Sequence, residues 1–173
     1  IVFLLILFLI SIFAISYLVI FVPKFGYIKN RLLSFFDKEM GTYNFQSDKA
    51  IESIISGSFF GKGIGEGTLK NRVPEAHTDY IIAVISEEYG SIISIMIILL
   101  FLYISFKIIK YCINQEDQLI KISLCGLATL LIFQTFIHVG VNTSLIPTTG
   151  MTLPFLSYGG SSLVGSAILA GVI

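Results

Sequence analysis

The stretch at residues 81–109, IIAVISEEYGSIISIMIILLFLYISFKII, decides what kind of protein this is. Only Glu87, Glu88 and Lys107 are charged in it. Its apolar residues run on continuously instead of alternating, and at this length that pattern reads as helix and not strand. Crossing the hydrocarbon of a bilayer takes about 20 apolar residues in a helix. Residues 1–22 and about 120–141 offer the same length, and a fourth run, 161–173, is apolar but shorter. In lipid every backbone N–H and C=O needs a partner within the protein, which leaves helices or a closed barrel. The expectation is therefore an all-α integral membrane protein, a polytopic transmembrane helix bundle. Its spans fall at about 1–22, 80–109, 120–141 and 161–173, with a long loop at 23–78.

Composition points the same way. Of 173 residues, 55% are hydrophobic and 13% charged, about half the charged share of a soluble domain, and the mean hydropathy is +0.89. The formal net charge is zero and no run of Lys and Arg occurs, so the basic footprint that nucleic acid requires is missing. Cys112 and Cys125 form no Cys-x-x-Cys or Cys/His cluster and read as packing residues, neither a disulfide framework nor a zinc site. The first apolar run lacks a basic leader and a small-residue cleavage site, so it reads as a span and not a signal peptide. The chain begins at Ile1 and stops inside an apolar run at Ile173, which reads as a piece of a longer protein.

The loop at 23–78 carries seven of the fifteen glycines, and loops of that length without a role are uncommon. Within it Ala50, Ile51, Ile54 and Ile55 recur at helical spacing behind Ser47 and Asp48, which predicts a short amphipathic helix at the membrane interface. The glycine run from Gly61 to Gly67 lacks a preceding strand and a Gly-Lys-Ser/Thr, so it fits neither nucleotide fingerprint and reads as a close-fitting or mobile loop.

Three ionisable residues crowd the point where the loop re-enters the membrane, in VPEAHTDY at 73–80. One reading is structural: Thr78 or Asp79 caps a helix beginning at Tyr80. The other is chemical. At a water–membrane boundary, desolvation or a shared divalent cation could make Asp79 a general base or a metal ligand. The same helix carries Glu87 and Glu88 about 12 Å further along, with only Glu87 near the face of Asp79 and Glu88 expected to pair with another helix. Gln134, His138 and Asn142 recur every four residues and form one polar stripe, for which interhelical hydrogen bonding is the default account. The last stretch, IPTTGMTLPFLSYGGSS at 146–162, breaks helical structure and is rich in hydroxyls. Amides of Gly159–Ser162 opening a helix would suit a phosphate.

Two motifs together, PEAHTD at 74–79 followed by EEYG at 87–90, and PTTG at 147–150 through SYGGSS at 157–162, resemble the SEDS family (shape, elongation, division and sporulation). Within it the chain is most similar to the cell-division branch. The resemblance implies a ten-helix protein of which about four helices are present, with the loop at 23–78 extracytoplasmic. It implies a peptidoglycan glycosyltransferase that polymerises lipid II into glycan strands in septal cell-wall synthesis, with undecaprenyl diphosphate leaving. Asp79 falls on the family's essential aspartate and would be catalytic. Substrate contacts would come from Lys70, Arg72, Glu75, His77 and Thr78 before the helix. In the last stretch they would come from Pro147, Thr148 and Gly150, then from Ser157, Tyr158, Gly159, Gly160, Ser161 and Ser162. A divalent cation, Mg or Mn, shared between Asp79 and pyrophosphate would serve as cofactor, with no organic cofactor. The implied partners are lipid II, a class B penicillin-binding transpeptidase, other division proteins and membrane lipid, with no nucleic acid. The implied location is the bacterial cytoplasmic (inner) membrane, multi-pass, at the division septum. His138 stands where many members have Asn, Ser144 where many have Gly, and Thr149 where many division members have Lys.

Two rival readings stand beside this one. A lipid II translocase would use Glu87, His138 and Glu88 as a charge pathway. A membrane scaffold would need Asp79 only as a helix cap and the polar stripe only as packing.

Overall fold

A computed structural model describes residues 45–172 apart from Glu75, together with isolated earlier positions. Apart from those isolated positions, the expected span at 1–22 and the first part of the expected loop, 23–44, lie outside the described residues. The chain divides into two compact units, Ile1–Phe45 and Gln46–Ile173, and the described elements belong to the second, apart from Phe45. They are α1 (Phe45–Gly57), α2 (Leu69–Arg72), α3 (Ile81–Tyr89), α4 (Ser91–Ile113), α5 (Gln118–Asn142) and α6 (Gly160–Val172). All regular structure among the described residues is helical.

The apolar runs become the two long helices. α4, of 23 residues, and α5, of 25, are each long and apolar enough to cross a membrane. They pair as an antiparallel hairpin. Near its turn Ile108 and Cys112 pack on Leu124 and Ala128, while Phe101 and Leu131 meet further along. Asp117 caps α5 by accepting the Leu119 N–H at 2.9 Å, which closes the four-residue turn tightly. Hydroxyls inside the hairpin bond to their own helix, Ser105 to the Phe101 carbonyl and Thr135 to that of Leu131, and so cost little in an apolar surrounding. Of the cysteines, Cys112 is buried as expected, whereas Cys125 is exposed on α5.

The expected single span at 80–109 is two helices. Gly90 has φ +93, a left-handed value that glycine alone tolerates cheaply, and it breaks the helix between α3 and α4. Spanning length begins at Ser91, and α3 lies outside it. The helix at 47–55 is present and longer, as α1. The run at 161–173 forms α6, 13 residues long.

A separate core gathers at the end of the hairpin away from its turn, where Ala50 of α1, Leu69 of α2, Val73, Ala76, Tyr80, Ala83, Val84 and Val141 are all buried. It fastens the loop, α3 and the end of α5 to one another.

Candidate active site

The loop is organised around the acidic end of α3. Glu87 is 1% exposed, and its oxygens accept from Lys62 Nζ at 2.9 Å, Thr68 Oγ1 at 3.0 Å and the Leu69 N–H at 2.9 Å. Burial pushes this carboxyl up, but the bonds to Leu69, Thr68 and Lys62 outweigh it and hold it down at about 2. Glu88 accepts from Lys70 Nζ at 2.9 Å. Backbone bonds reinforce the grip, with Lys62 N–H on the Glu87 carbonyl and Gly63 N–H on that of Glu88. Contact is close enough to demand glycine at the interface. A Cβ at Gly57 would stand 2.0 Å from the Ser86 carbonyl oxygen, one at Gly61 2.3 Å from that of Glu88, and one at Gly90 2.1 Å from that of Phe59. The glycine run is thus a close-fitting sleeve on α3.

These contacts correct one expectation about the acids and meet another. Asp79 precedes α3 instead of lying on it, so it shares no helical face with Glu87, which is consumed by the loop. Glu88 pairs with another helix, as Lys70 lies on α2.

At the other end of α3 the backbone of His77, Thr78 and Asp79 is held from outside, one carbonyl at a time. The Tyr158 N–H donates to the His77 carbonyl at 3.1 Å. Ser157 Oγ donates to that of Thr78 at 2.7 Å and accepts the Leu153 N–H at 2.8 Å. Asn142 Nδ2 donates to that of Asp79 at 3.0 Å and to that of His138 at 2.8 Å, while its Oδ1 accepts the Ala83 N–H at 3.0 Å. The helix cap is Tyr80, whose side chain makes no cap bond, so the expectation of a cap at Thr78 or Asp79 is corrected. A first-turn amide is satisfied in its place by Asn142 from α5, an orphan donor of the kind every helix start must resolve.

Gly150, with φ +71, faces the carboxylate, and a Cβ there would lie 3.7 Å from Asp79 Oδ2. His77, Gly150 and Tyr158 are exposed, and Thr78, Asp79, Pro147 and Thr148 half-buried. Glu75 lies outside the described residues. Lys70 spends its ammonium on Glu88 and the Gly65 carbonyl, while Arg72 is exposed. The fold therefore gathers His77, Thr78, Asp79, Gly150, Ser157 and Tyr158, and gives Lys70 and Ser157 structural bonds.

The remaining expected residues fall elsewhere. Ser161 and Ser162, in the first turn of α6 behind Gly159 and Gly160, line a cavity of about 400 Å³ with Gln134, Thr152, Pro154 and Ser166. Asp79 is not among its lining residues. His138 is buried and bonds the Met151 carbonyl through Nδ1 at 3.0 Å, which makes Nδ1 the protonated nitrogen and Nε2 the acceptor. That Nε2 has no partner among the described residues.

No group of three or more His, Cys, Asp or Glu side chains gathers among the described residues. A single carboxylate does not cage a metal, but it suits Mg²⁺, which is commonly held by one or two carboxylates plus substrate phosphates. The donor set therefore fits a cation that arrives with a phosphorylated substrate, held on the protein side by Asp79. Asn142 is the residue that sequence reasoning underrated. Its place four residues after His138 was the available signal, and interhelical packing absorbed it.

Known proteins share this arrangement of sequence. The family described as "Cell cycle protein" (FtsW, RodA, SpoVE) matches over residues 1–173. A "Probable peptidoglycan glycosyltransferase FtsW" of Caulobacter vibrioides is 37% identical over 148 residues, 86% of this chain and 38% of that protein. Its namesake in Geobacter sp. strain M18 is 39% identical over 151 residues, 86% of this chain and 41% of that protein. A chain from the solved structure "Structural coordination of polymerization and crosslinking by a peptidoglycan synthase complex" superposes with TM-score 0.64 at 27% identity, covering 95% of this chain and 46% of that one. The chain spans about two-fifths of the length of these curated relatives.

Proposed function

The chain belongs to the FtsW/RodA/SpoVE family of cell-cycle proteins, and on that premise we propose that it is the Asp79-bearing part of a peptidoglycan glycosyltransferase acting in septal wall synthesis. The observation that carries the reading is the capture of three successive carbonyls, His77 to Asp79, from α5 and the 147–159 segment. A chain that needed Asp79 only as a cap would have no use for so rigid a mount, and the cap position belongs to Tyr80.

In the proposed reaction Asp79 takes the proton from the acceptor sugar hydroxyl as that oxygen bonds to the anomeric carbon of lipid II. The bond from that carbon to undecaprenyl diphosphate breaks and its electron pair leaves with the diphosphate. General-base help of this kind contributes about 10²–10⁴-fold. A divalent cation shared between Asp79 and the diphosphate would neutralise the charge that develops on the leaving group. A class B penicillin-binding transpeptidase is the proposed partner, which the kinship with a polymerisation and crosslinking complex supports. The translocase alternative loses support, because Glu87 and Glu88 are committed to Lys62 and Lys70.

The test uses the full-length protein with its transpeptidase partner, purified lipid II and Mg²⁺ or Mn²⁺. Wild type should form glycan strands and Asp79→Ala should not, at equal membrane abundance. An Asp79→Asn variant with full activity would remove Asp79 from both the base and the metal-ligand roles. Lipid II crossing vesicles without strand formation would favour the translocase.

A further inference from the structure

Each captured carbonyl precedes or belongs to the proposed base, but only one capture acts on the residue that carries the carboxylate. The Asp79 carbonyl receives Asn142 Nδ2. Asn142 is 0% exposed, and its three bonds all go to backbone: the carbonyls of Asp79 and His138 and the N–H of Ala83. Both of its amide hydrogens are spent, and its oxygen is engaged. An amide committed in this way has no donor left for a substrate.

What the three bonds do is close a triangle. One corner is the backbone of Asp79, the second the first turn of α3, and the third the last turn of α5. From this we propose that Asn142 is a positioning residue for Asp79. It sets the direction of the carboxylate through the backbone and never touches substrate. The proposal rests on the reading of Asp79 as the reaction's base. Misplacing a reacting group by 1 Å can cost about 10²-fold in rate, so loss of the Asn142 donors should appear in turnover and not in binding.

The substitutions that separate positioning from packing are set by the amide's chemistry. Asn142→Asp keeps size and shape but turns the donor atom into an oxygen that faces two carbonyl oxygens. Burial and those oxygens disfavour its charged form, and once protonated it recovers one donor. Asn142→Gln keeps both donors and moves them outward by one methylene.

The experiment takes the full-length protein with its transpeptidase partner and measures polymerisation of lipid II with deuterium exchange at residues 80–84. Asn142→Asp should lower kcat by about 100-fold with KM for lipid II within about threefold, exchange at 80–84 should quicken, and the deficit should shrink as pH falls. Asn142→Gln should recover part of kcat. Quickened exchange with normal kcat would overturn the proposal, as would unchanged exchange. Equal loss in both variants at every pH, with KM changed alongside kcat, would make Asn142 a packing residue. Where Asn142→Asp does not accumulate, Asn142→Gln decides by the same readouts. Should wild type form no strands, the functional reading fails, and exchange at 80–84 in the two variants still decides whether the triangle holds Asp79.

Discussion

Replacing Ser144 by glycine should make this protein more stable. α5 ends with its cap at Thr143, and the next two residues close a Schellman motif: the Ser144 N–H reaches the Val141 carbonyl at 3.1 Å and the Leu145 N–H that of Gly140 at 2.8 Å. The motif requires a left-handed residue after the cap, a place that glycine usually fills. Ser144 fills it with φ +55. A side chain in that conformation costs about 1–2 kcal/mol. Its hydroxyl is buried without a partner among the described residues, at a cost of about 1–3 kcal/mol. Glycine removes both burdens and returns about 0.4–1 kcal/mol through a looser unfolded chain. The net expectation is a gain of about 1–4.5 kcal/mol, or roughly tenfold in the folding equilibrium for each 1.4 kcal/mol. Denaturant unfolding of the full-length protein in micelles would measure it, with Ser144→Ala as the dissecting control. Alanine sheds the hydroxyl but keeps the Cβ, so stability should rise in the order wild type, Ser144→Ala, Ser144→Gly. A glycine variant no more stable than wild type would refute the reasoning, and an alanine variant equal to glycine would refute its strain component.

Other outcomes follow from the sleeve around α3. Gly90→Ala adds a Cβ 2.1 Å from the Phe59 carbonyl oxygen at a positive φ, and should destabilise by about 3 kcal/mol or more, read as lost accumulation in membranes. Glu87→Gln replaces one acceptor oxygen by an amide nitrogen that cannot accept from Lys62 or Thr68 and should cost about 1–3 kcal/mol, read as protease sensitivity across residues 58–70. Because the Glu87 carboxyl is held down at about 2 from a usual value of 4.5, its contribution to stability is present above pH 4.5 and is lost as pH falls through about 2. Protection of the loop in wild type should therefore persist at pH 4. Glu88→Gln should reduce accumulation more than turnover per molecule, and a protein that accumulates normally yet is inactive would contradict that.

The two long helices were legible because hydrophobicity is a local signal, and continuous apolar runs of spanning length admit one reading. The break at Gly90 was not. A single glycine within 29 mostly apolar residues carries no mark of its φ, which is imposed by the close approach of Phe59 from a remote loop. The same holds for the acids. Glu87 read as lying near the face of Asp79, whereas its partners Lys62, Thr68 and Leu69 lie about twenty residues back in a segment with no periodicity, and the identity of Lys70 as the partner of Glu88 was hidden in the same segment. Asp79 could be found from its motif, whereas the residues that hold it could not be ranked. The family resemblance alone implies Ser157 as a substrate contact, and its bonds to Thr78 and Leu153 depend on a chain reversal that local sequence does not encode.

The double anchorage of α3 has a mechanical side. Its nine residues make a rod of about 13 Å at ~1.5 Å per residue, pinned near Asp79 by an amide and at the far end by bare backbone pressed on glycine. Beside the Lys62 and Lys70 ion pairs, these backbone contacts on glycine contain no long side chain that could flex and absorb a displacement. A load borne by the loop is therefore delivered along the rod to the residue at its foot, much as a tappet passes the motion of a cam to a valve.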